Sequence, residues 1–179
     1  MDEDRTARFE AIYVATFGPL LGYAVRRCEC AEDAADVVAE TFAIAWRRLD
    51  AIPPGEQARL WLYGVARNVL ANHRRRLARR EGLSAALAAE LAGVYQPSTE
   101  DSVELGVVGQ VFRGLPDADR ELLALVAWEG LDHAEIATVL GCSRNAVRIR
   151  LHRARKRLTG ELAAAGVAVG PLAMSRRTS

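Results

Sequence analysis

Residues 132–158 read DHAEIATVLGCSRNAVRIRLHRARKRL, and the organisation of the chain follows from them. Asp132 stands where a short helix needs an N-cap, and Ile136, Ala137 and Leu140 give that helix its buried face. Gly141 follows, the residue that most readily turns the chain through a left-handed conformation. Ser143 then caps a second helix, with Val147, Leu151, Ala154 and Leu158 at spacings of four, three and four. The small Ala137 lets the two helices approach closely across the turn. Two short helices joined by a glycine turn form a helix-turn-helix, whose second helix is the one that enters a DNA major groove.

The charges agree with that placement. At about 100° per residue, the apolar stripe takes one side of the second helix and Arg148, Ile149, His152 and Arg153 take the other. An outward isoleucine among arginines suits a thymine methyl group. Arg144, Arg150, Arg155, Lys156 and Arg157 border this surface, where phosphates come within reach, and Asn145 joins them as a DNA-binding candidate.

Outward from this motif, helical periodicity runs through nearly the whole sequence and no period-two strand emerges, so the fold class is all-α. Phe9, Ile12, Tyr13 and Phe17 share one helical face. Gly18-Pro19 is expected to end that helix, with Pro19 opening the next through Leu20, Leu21 and Val25. Ala31 to Leu49 carries acids in its first turn and a stripe of Val38, Phe42, Ala45 and Leu49, and Pro53-Pro54-Gly55 terminates it. Glu56 to Arg67 and Asn68 to Arg80 read as two helices or one bent one. From Glu81 to Gly114 the pattern weakens into a linker with transient helical parts, centred on Gln96-Pro97-Ser98-Thr99-Glu100-Asp101. Order resumes at Leu115-Pro116-Asp117, a helix start, and Glu129-Gly130 closes that helix. The expected organisation is a helical domain over 1–80, a linker over 81–114, the helix-turn-helix domain over 115–160 and a frayed tail over 161–179 ending in Ser175-Arg176-Arg177-Thr178-Ser179.

A net charge of +1 hides a strong segregation. Arg67 to Arg80 holds six arginines and no acid, and Arg144 to Arg157 holds seven basic residues and no acid. The stretch between them from Glu81 to Gly114 has five acids and one base, Arg113. Two basic segments around an acidic connector point to two contacts with one polyanion. Cys28, Cys30 and Cys142 are too few and too scattered for a disulfide framework or a zinc site, and read as small buried or half-buried residues. His73, His133 and His152 have no metal spacing. No metal or cofactor is expected. No apolar run approaches the ~20 residues of a membrane span, and the charged start Met1-Asp2-Glu3-Asp4-Arg5 is unlike a signal peptide. The expected location is cytoplasmic, with no membrane insertion. No phosphate loop, nucleophile triad or metal cluster is legible, so enzymatic activity is not expected.

With the helix-turn-helix in place, three further segments become recognisable. Residues 33–46, DAADVVAETFAIAW, resemble the polymerase-binding helix of the extracytoplasmic-function sigma factors, compact members of the sigma-70 family. Residues 59–68, RLWLYGVARN, are similar to their promoter-melting segment, and Leu115 to Leu158 is similar to their second conserved domain. The resemblance covers Phe9 to Arg80 and Leu115 to Leu158, and it implies two small helical domains on a flexible linker. It implies a protein that binds core RNA polymerase, recognises the −10 and −35 promoter elements and promotes transcription initiation.

By that resemblance, Asp36, Val37, Val38, Glu40 and Phe42 bind the clamp helices of the largest polymerase subunit, an acid-bearing helix against a basic coiled coil. The polymerase flap is the other contact that the resemblance implies. Asn68 matches the position in the loop that holds a flipped base, and Asn72 lies one turn on. Trp61 and Tyr63 match aromatics of the same segment, while Arg74, Arg75, Arg76, Arg79 and Arg80 track the backbone. Arg148, Ile149, His152 and Arg153 match base-contacting positions for the −35 element. The family commonly has glutamine at Ala39, serine at Ile149, and small residues at Arg144-Asn145. The acidic linker resembles the segment that threads the polymerase cleft, and anti-sigma partners are common in the family. The competing reading is a stand-alone helix-turn-helix regulator, which binds specific DNA tightly without polymerase.

Overall fold

The computed structural model describes residues 2–91 and 106–167. The turn-rich stretch expected around Gln96–Asp101 and the tail end at Ser175–Ser179 lie outside the described residues. Seven α-helices and no strands occur among the described residues: α1 (Asp2–Val25), α2 (Ala31–Arg47), α3 (Gln57–Leu91), α4 (Val107–Gly114), α5 (Asp117–Ala127), α6 (His133–Leu140) and α7 (Arg144–Ala164). A 3-10 turn at Leu49–Ala51 follows α2. None of these helices is long and apolar enough to cross a membrane. The chain forms two compact units, each with its own core.

In the first unit, α1, α2 and α3 pack pairwise. Leu20, Tyr23 and Ala24 of α1 meet Ala34, Val37, Val38, Thr41, Phe42 and Ala45 of α2 and Leu60, Leu62, Tyr63, Ala66, Val69 and Leu70 of α3 in the core. The stripe expected over Ala31 to Leu49 is buried, its last member Leu49 standing in the 3-10 turn that follows α2. The rings of Tyr23 and Tyr63 stack with centroids 5.0 Å apart, and the Arg27 guanidinium lies 3.6 Å from the Tyr23 ring centroid. At the other end Phe9 meets Trp46 edge-on at 5.2 Å, and Tyr13 lies 4.7 Å from Phe42.

α1 corrects the expectation of a break at Gly18-Pro19: it runs unbroken through Pro19. A proline inside a helix removes one backbone hydrogen bond and crowds the preceding turn. Here packing overrides it, because Thr16 before the proline and Leu20, Tyr23 and Ala24 after it are all buried. The start of α1 is also tied down, by the Arg5–Asp50 ion pair at 3.0 Å and by Arg8 donating to the Ile52 carbonyl at 2.8 Å. Of the two readings for 56–80, one continuous helix is found, and it extends through Leu91.

Cys30, expected to be buried or half-buried, is exposed and caps α2, its sulfur accepting from the Asp33 N–H at 3.4 Å. Cys28 is half-buried; burial, reinforced by Asp33, pushes its thiol up to about 11, so it stays protonated at neutral pH. The His73 imidazole stands 3.1 Å from Asp33, joining α3 to the start of α2.

In the second unit α7 packs against α4 and α5. Its core holds Leu115, Leu122, Leu123, Ala124, Leu125, Leu131, Ile136, Val147, Leu151, Ala154 and Leu162. The expected starts and stops are in place at α5: Asp117 opens it and Gly130, at φ 66°, follows its end. Residues 107–114 form a full helix, and 161–164 belong to the last turn of α7.

Candidate nucleic-acid and polymerase interface

The helix-turn-helix is built by local chemistry. Asp132 Oδ1 accepts from the N–H groups of Ala134 at 2.6 Å and Glu135 at 2.9 Å, and Glu135 Oε2 accepts in return from the Asp132 N–H at 2.8 Å. This reciprocal capping box satisfies donors that the first turn of α6 leaves unpaired. The Glu135 N–H is the largest influence holding the Asp132 carboxyl below its ordinary value of 3.8. Gly141 takes φ 61°, and Ser143 Oγ accepts from the Ala146 N–H at 3.2 Å to start α7. Asp132→Ala is therefore expected to destabilise the chain by about 1 kcal/mol at neutral pH, read from its urea unfolding transition by circular dichroism. Because the folded-state value is depressed, that contribution is fully present above 3.8 and is lost as pH falls below it. The gap between variant and wild type should close over that interval.

On α7, Val147, Leu151 and Ala154 face the core, while Arg144, Asn145, Arg148, Arg150, His152, Arg153 and Lys156 are exposed. Ile149 is 41% exposed, an apolar side chain held outward between cations. Asn145 Oδ1 accepts from Arg148 at 2.9 Å, which aims that guanidinium from its own helix. Two positions depart from the expected phosphate border. Arg157 is ion-paired with Asp119 of α5 and so fastens α7 to its scaffold, and Arg155 is half-buried. Ala137 and Leu140, expected in the buried face of α6, are half-buried beside the fully buried Ile136.

On α3, Trp61, Asn68, Asn72, Arg75 and Arg79 follow one another at spacings of seven, four, three and four. They therefore share one helical face, away from the buried Tyr63, Ala66 and Leu70. Both asparagines and both arginines are exposed, and Trp61 is half-buried. Asn68 sits in the interior of α3, so the expected loop position is corrected: no glycine or proline interrupts 65–80, and Ala66, Val69 and Leu70 pack on both sides of it. Tyr63 is 2% exposed against Tyr23 and cannot present its ring to DNA. The neighbouring arginines diverge: Arg76 reaches Glu40 of α2 at 3.9 Å, and Arg74 lies close enough to Cys28 to act on its thiol. The side chain of Arg80 lies outside the described residues.

Among the residues expected on the polymerase face of α2, Asp36 is exposed and Glu40 half-exposed, one turn apart. Val37, Val38 and Phe42 are 1%, 5% and 6% exposed, so core packing takes them and they support that face from beneath. The sequence reading missed an open cavity of about 330 Å³ between the end of α2 and α3, lined by Ile44, Arg47, Arg48, Val65 and Asn68. Its one sequence signal is the adjacent arginine pair at the end of a helix.

Residues 13–80 match the family Sigma-70 region 2, and residues 105–158 match Sigma-70, region 4. The chain is 36% identical over 136 residues to RNA polymerase sigma factor NccH of Alcaligenes xylosoxydans xylosoxydans, covering 73% of each chain. It is 31% identical over 166 residues to ECF RNA polymerase sigma factor SigL of Mycobacterium tuberculosis, covering 90% of this chain and 92% of that protein. Among solved structures, CnrH in complex with the cytosolic domain of CnrY is similar at a TM-score of 0.59 and 30% identity, over 87% of this chain and 88% of that one. Two matched regions in order, on the two units that carry the basic faces of α3 and α7, place the chain in the sigma-70 family of RNA polymerase sigma factors, among those of the extracytoplasmic-function type.

Proposed function

We propose that this sigma factor divides promoter recognition between the outward faces of α3 and α7 and joins core polymerase through the acidic face of α2. The observation that carries this reading is the pair of exposed basic faces, one in each matched region. Arg148, Ile149, His152 and Arg153 read the −35 element, with Arg144, Asn145, Arg150 and Lys156 placed toward phosphates. Asn68 and Asn72 present amides, each both donor and acceptor, to bases of the −10 element, and Arg75 and Arg79 follow the backbone on the same face. Asp36 and Glu40 meet the basic clamp helices of the largest subunit, and the second unit meets the flap. The acidic linker occupies basic channels that later receive nucleic acid. The chain acts in the cytoplasm as a non-enzymatic subunit, and CnrH, which is seen with the cytosolic domain of CnrY, supports an anti-sigma partner for it.

Transcription of genomic DNA by core polymerase with and without this chain tests the reading. New start sites that share two spaced elements are expected, together with weak promoter binding by the free chain. Tight specific binding without polymerase would favour the stand-alone regulator. At a promoter found this way, Asn68→Ala should impair strand opening by about tenfold while closed-complex binding survives, because extruding a base costs a few kcal/mol that its contacts must offset. Permanganate footprinting reads the opened thymines, and wild-type reactivity would move base capture to another residue.

A further inference from the structure

Two cysteines that the division above leaves without a role stand at the junction of α1 and α2. Cys28 is half-buried, Cys30 is exposed, and both are free thiols. Glu29 alone separates them, and the chain bends through 28–30. Cα atoms on either side of a single residue lie at most about 7 Å apart, and a bend brings them into the window of about 4.4–6.8 Å that a disulfide spans. The junction is also where the three helices of this unit meet. Cys30 caps α2, its sulfur accepting from the Asp33 N–H at 3.4 Å, and the Asp33 carboxylate lies 3.1 Å from His73 of α3. His73 directly follows Asn72, and Asp36 lies one turn beyond Asp33.

We infer that Cys28 and Cys30 are a reversible modification site for peroxide, closing to a disulfide that uncaps α2 and weakens its hold on polymerase. The effect on polymerase rests on the assignment of α2 above; the thiol chemistry stands apart from it. Their surroundings give the two sulfurs different parts. Cys30 is open to solvent and sits at the positive end of the α2 dipole, which favours negative charge on its sulfur. That sulfur attacks one oxygen of hydrogen peroxide, the O–O bond breaks, and Cys30 becomes a sulfenic acid as water leaves. Cys28 is held back from this first step: burial and Asp33 of α2, reinforced by Cys30 and opposed by Arg74 of α3, push its thiol up to about 11. Its sulfur then attacks the sulfenic sulfur of Cys30, its proton leaves with the hydroxyl as a second water, and the disulfide forms. The thiols together lose two electrons, and one peroxide is reduced to two waters. To form a bond of about 2.05 Å the Cys30 sulfur must turn toward Cys28, which takes it from the Asp33 N–H. The first turn of α2 is left with one more unpaired donor, and the Asp33–His73 tie to α3 loosens with it. A reducing compartment keeps the pair open, and a pulse of oxidant closes it.

The test treats the full chain with hydrogen peroxide and reads it by mass spectrometry, by hydrogen exchange over 31–36 and by titration against core polymerase. The tryptic peptide 28–47 carries both cysteines and should lose two hydrogens. Exchange over the first turn of α2 should quicken and assembly should weaken by about threefold to tenfold, all restored by dithiothreitol. Cys28→Ser should stop at the sulfenic acid, which dimedone traps. Cys30→Ser should assemble normally and resist peroxide, because the serine hydroxyl still caps α2 and offers no thiol. Cys142→Ser, in the second unit, should respond as wild type does. Absence of the Cys28–Cys30 disulfide in wild type, or an equal peroxide effect in Cys30→Ser, would overturn the site. If the disulfide forms and assembly is unchanged, the switch falls. Loss of assembly in Asp36→Arg with Glu40→Arg would then leave the reading of α2 standing, and normal assembly of that variant would end both.

Discussion

Asp36→Arg combined with Glu40→Arg is expected to weaken assembly with core polymerase at least about a hundredfold, roughly 3 kcal/mol, while the helical content of the chain is retained. The two acids lie one turn apart on the open side of α2, and the side chains beneath them, Val37, Val38 and Phe42, are core residues that the substitutions leave untouched. Reversing both charges therefore alters the potential of the face without altering what holds it in place. Glu40 also stands 3.9 Å from Arg76, so an arginine at 40 places two like charges together within the unit. Glu40→Gln is the matched control. A pair this exposed contributes about 0–1 kcal/mol, so loss of the internal contact alone leaves assembly nearly unchanged. Co-purification with core polymerase and a competition titration measure the effect. Undiminished assembly of the doubly reversed variant would remove α2 as the contact.

The second large effect lies on α7. Arg148→Ala and Arg153→Ala should each cost ~1–3 kcal/mol at the preferred −35 sequence and relax the preference at one position, as expected for guanidiniums on guanine O6 and N7. Together they should erase that part of the motif selected by holoenzyme from a randomised upstream element. Arg144→Ala and Lys156→Ala should weaken all sequences alike and shallow the salt dependence by about one unit each. Ile149→Ser should weaken discrimination for thymine at its contact with no change in salt slope, since no charge is altered. Asn145→Ala gives a further distinction, because Asn145 Oδ1 holds Arg148 at 2.9 Å. Its removal should blur the Arg148 position without moving the others. An unchanged motif in the double arginine variant would mean that α7 is not the reader.

The parts of this architecture that were legible in the sequence are those set by neighbours in the chain. Asp132, Gly141 and Ser143 announce the helix-turn-helix because capping and left-handed turns are decided within three or four residues. The apolar stripes of α2 and α7 are legible for the same reason. What depends on distant packing is not. Pro19 reads as a helix start, yet the burial of Thr16, Leu20, Tyr23 and Ala24 carries α1 through it. The periodicity of α2 identifies Val38 and Phe42 as one side of a helix, but only the packed unit shows that the core, and not a partner, covers them. Arg157 looks like its basic neighbours until Asp119, 38 residues earlier in the chain, is brought against it. The cavity lined by Arg47, Arg48 and Asn68 draws on two helices, and the adjacent arginine pair is its one local signal.

Trp46, Trp61 and Trp128 give the three proposed contact regions one indole each. Trp46 lies on the helix of Asp36 and Glu40, 42% exposed, with Phe9 against its edge and the Arg5 guanidinium 5.9 Å from its ring. Trp61 lies on the face of α3 that holds Asn68 and Asn72, and Trp128 is 52% exposed beside Phe112 in the second unit. An indole that is part buried and part wet changes the colour and yield of its emission when a partner displaces the water on it. The chain thus carries its own optical reporters. In variants that keep a single tryptophan, docking of polymerase, opening of the −10 element and engagement of the second unit could be timed separately in one stopped-flow mixing experiment, without attaching a dye.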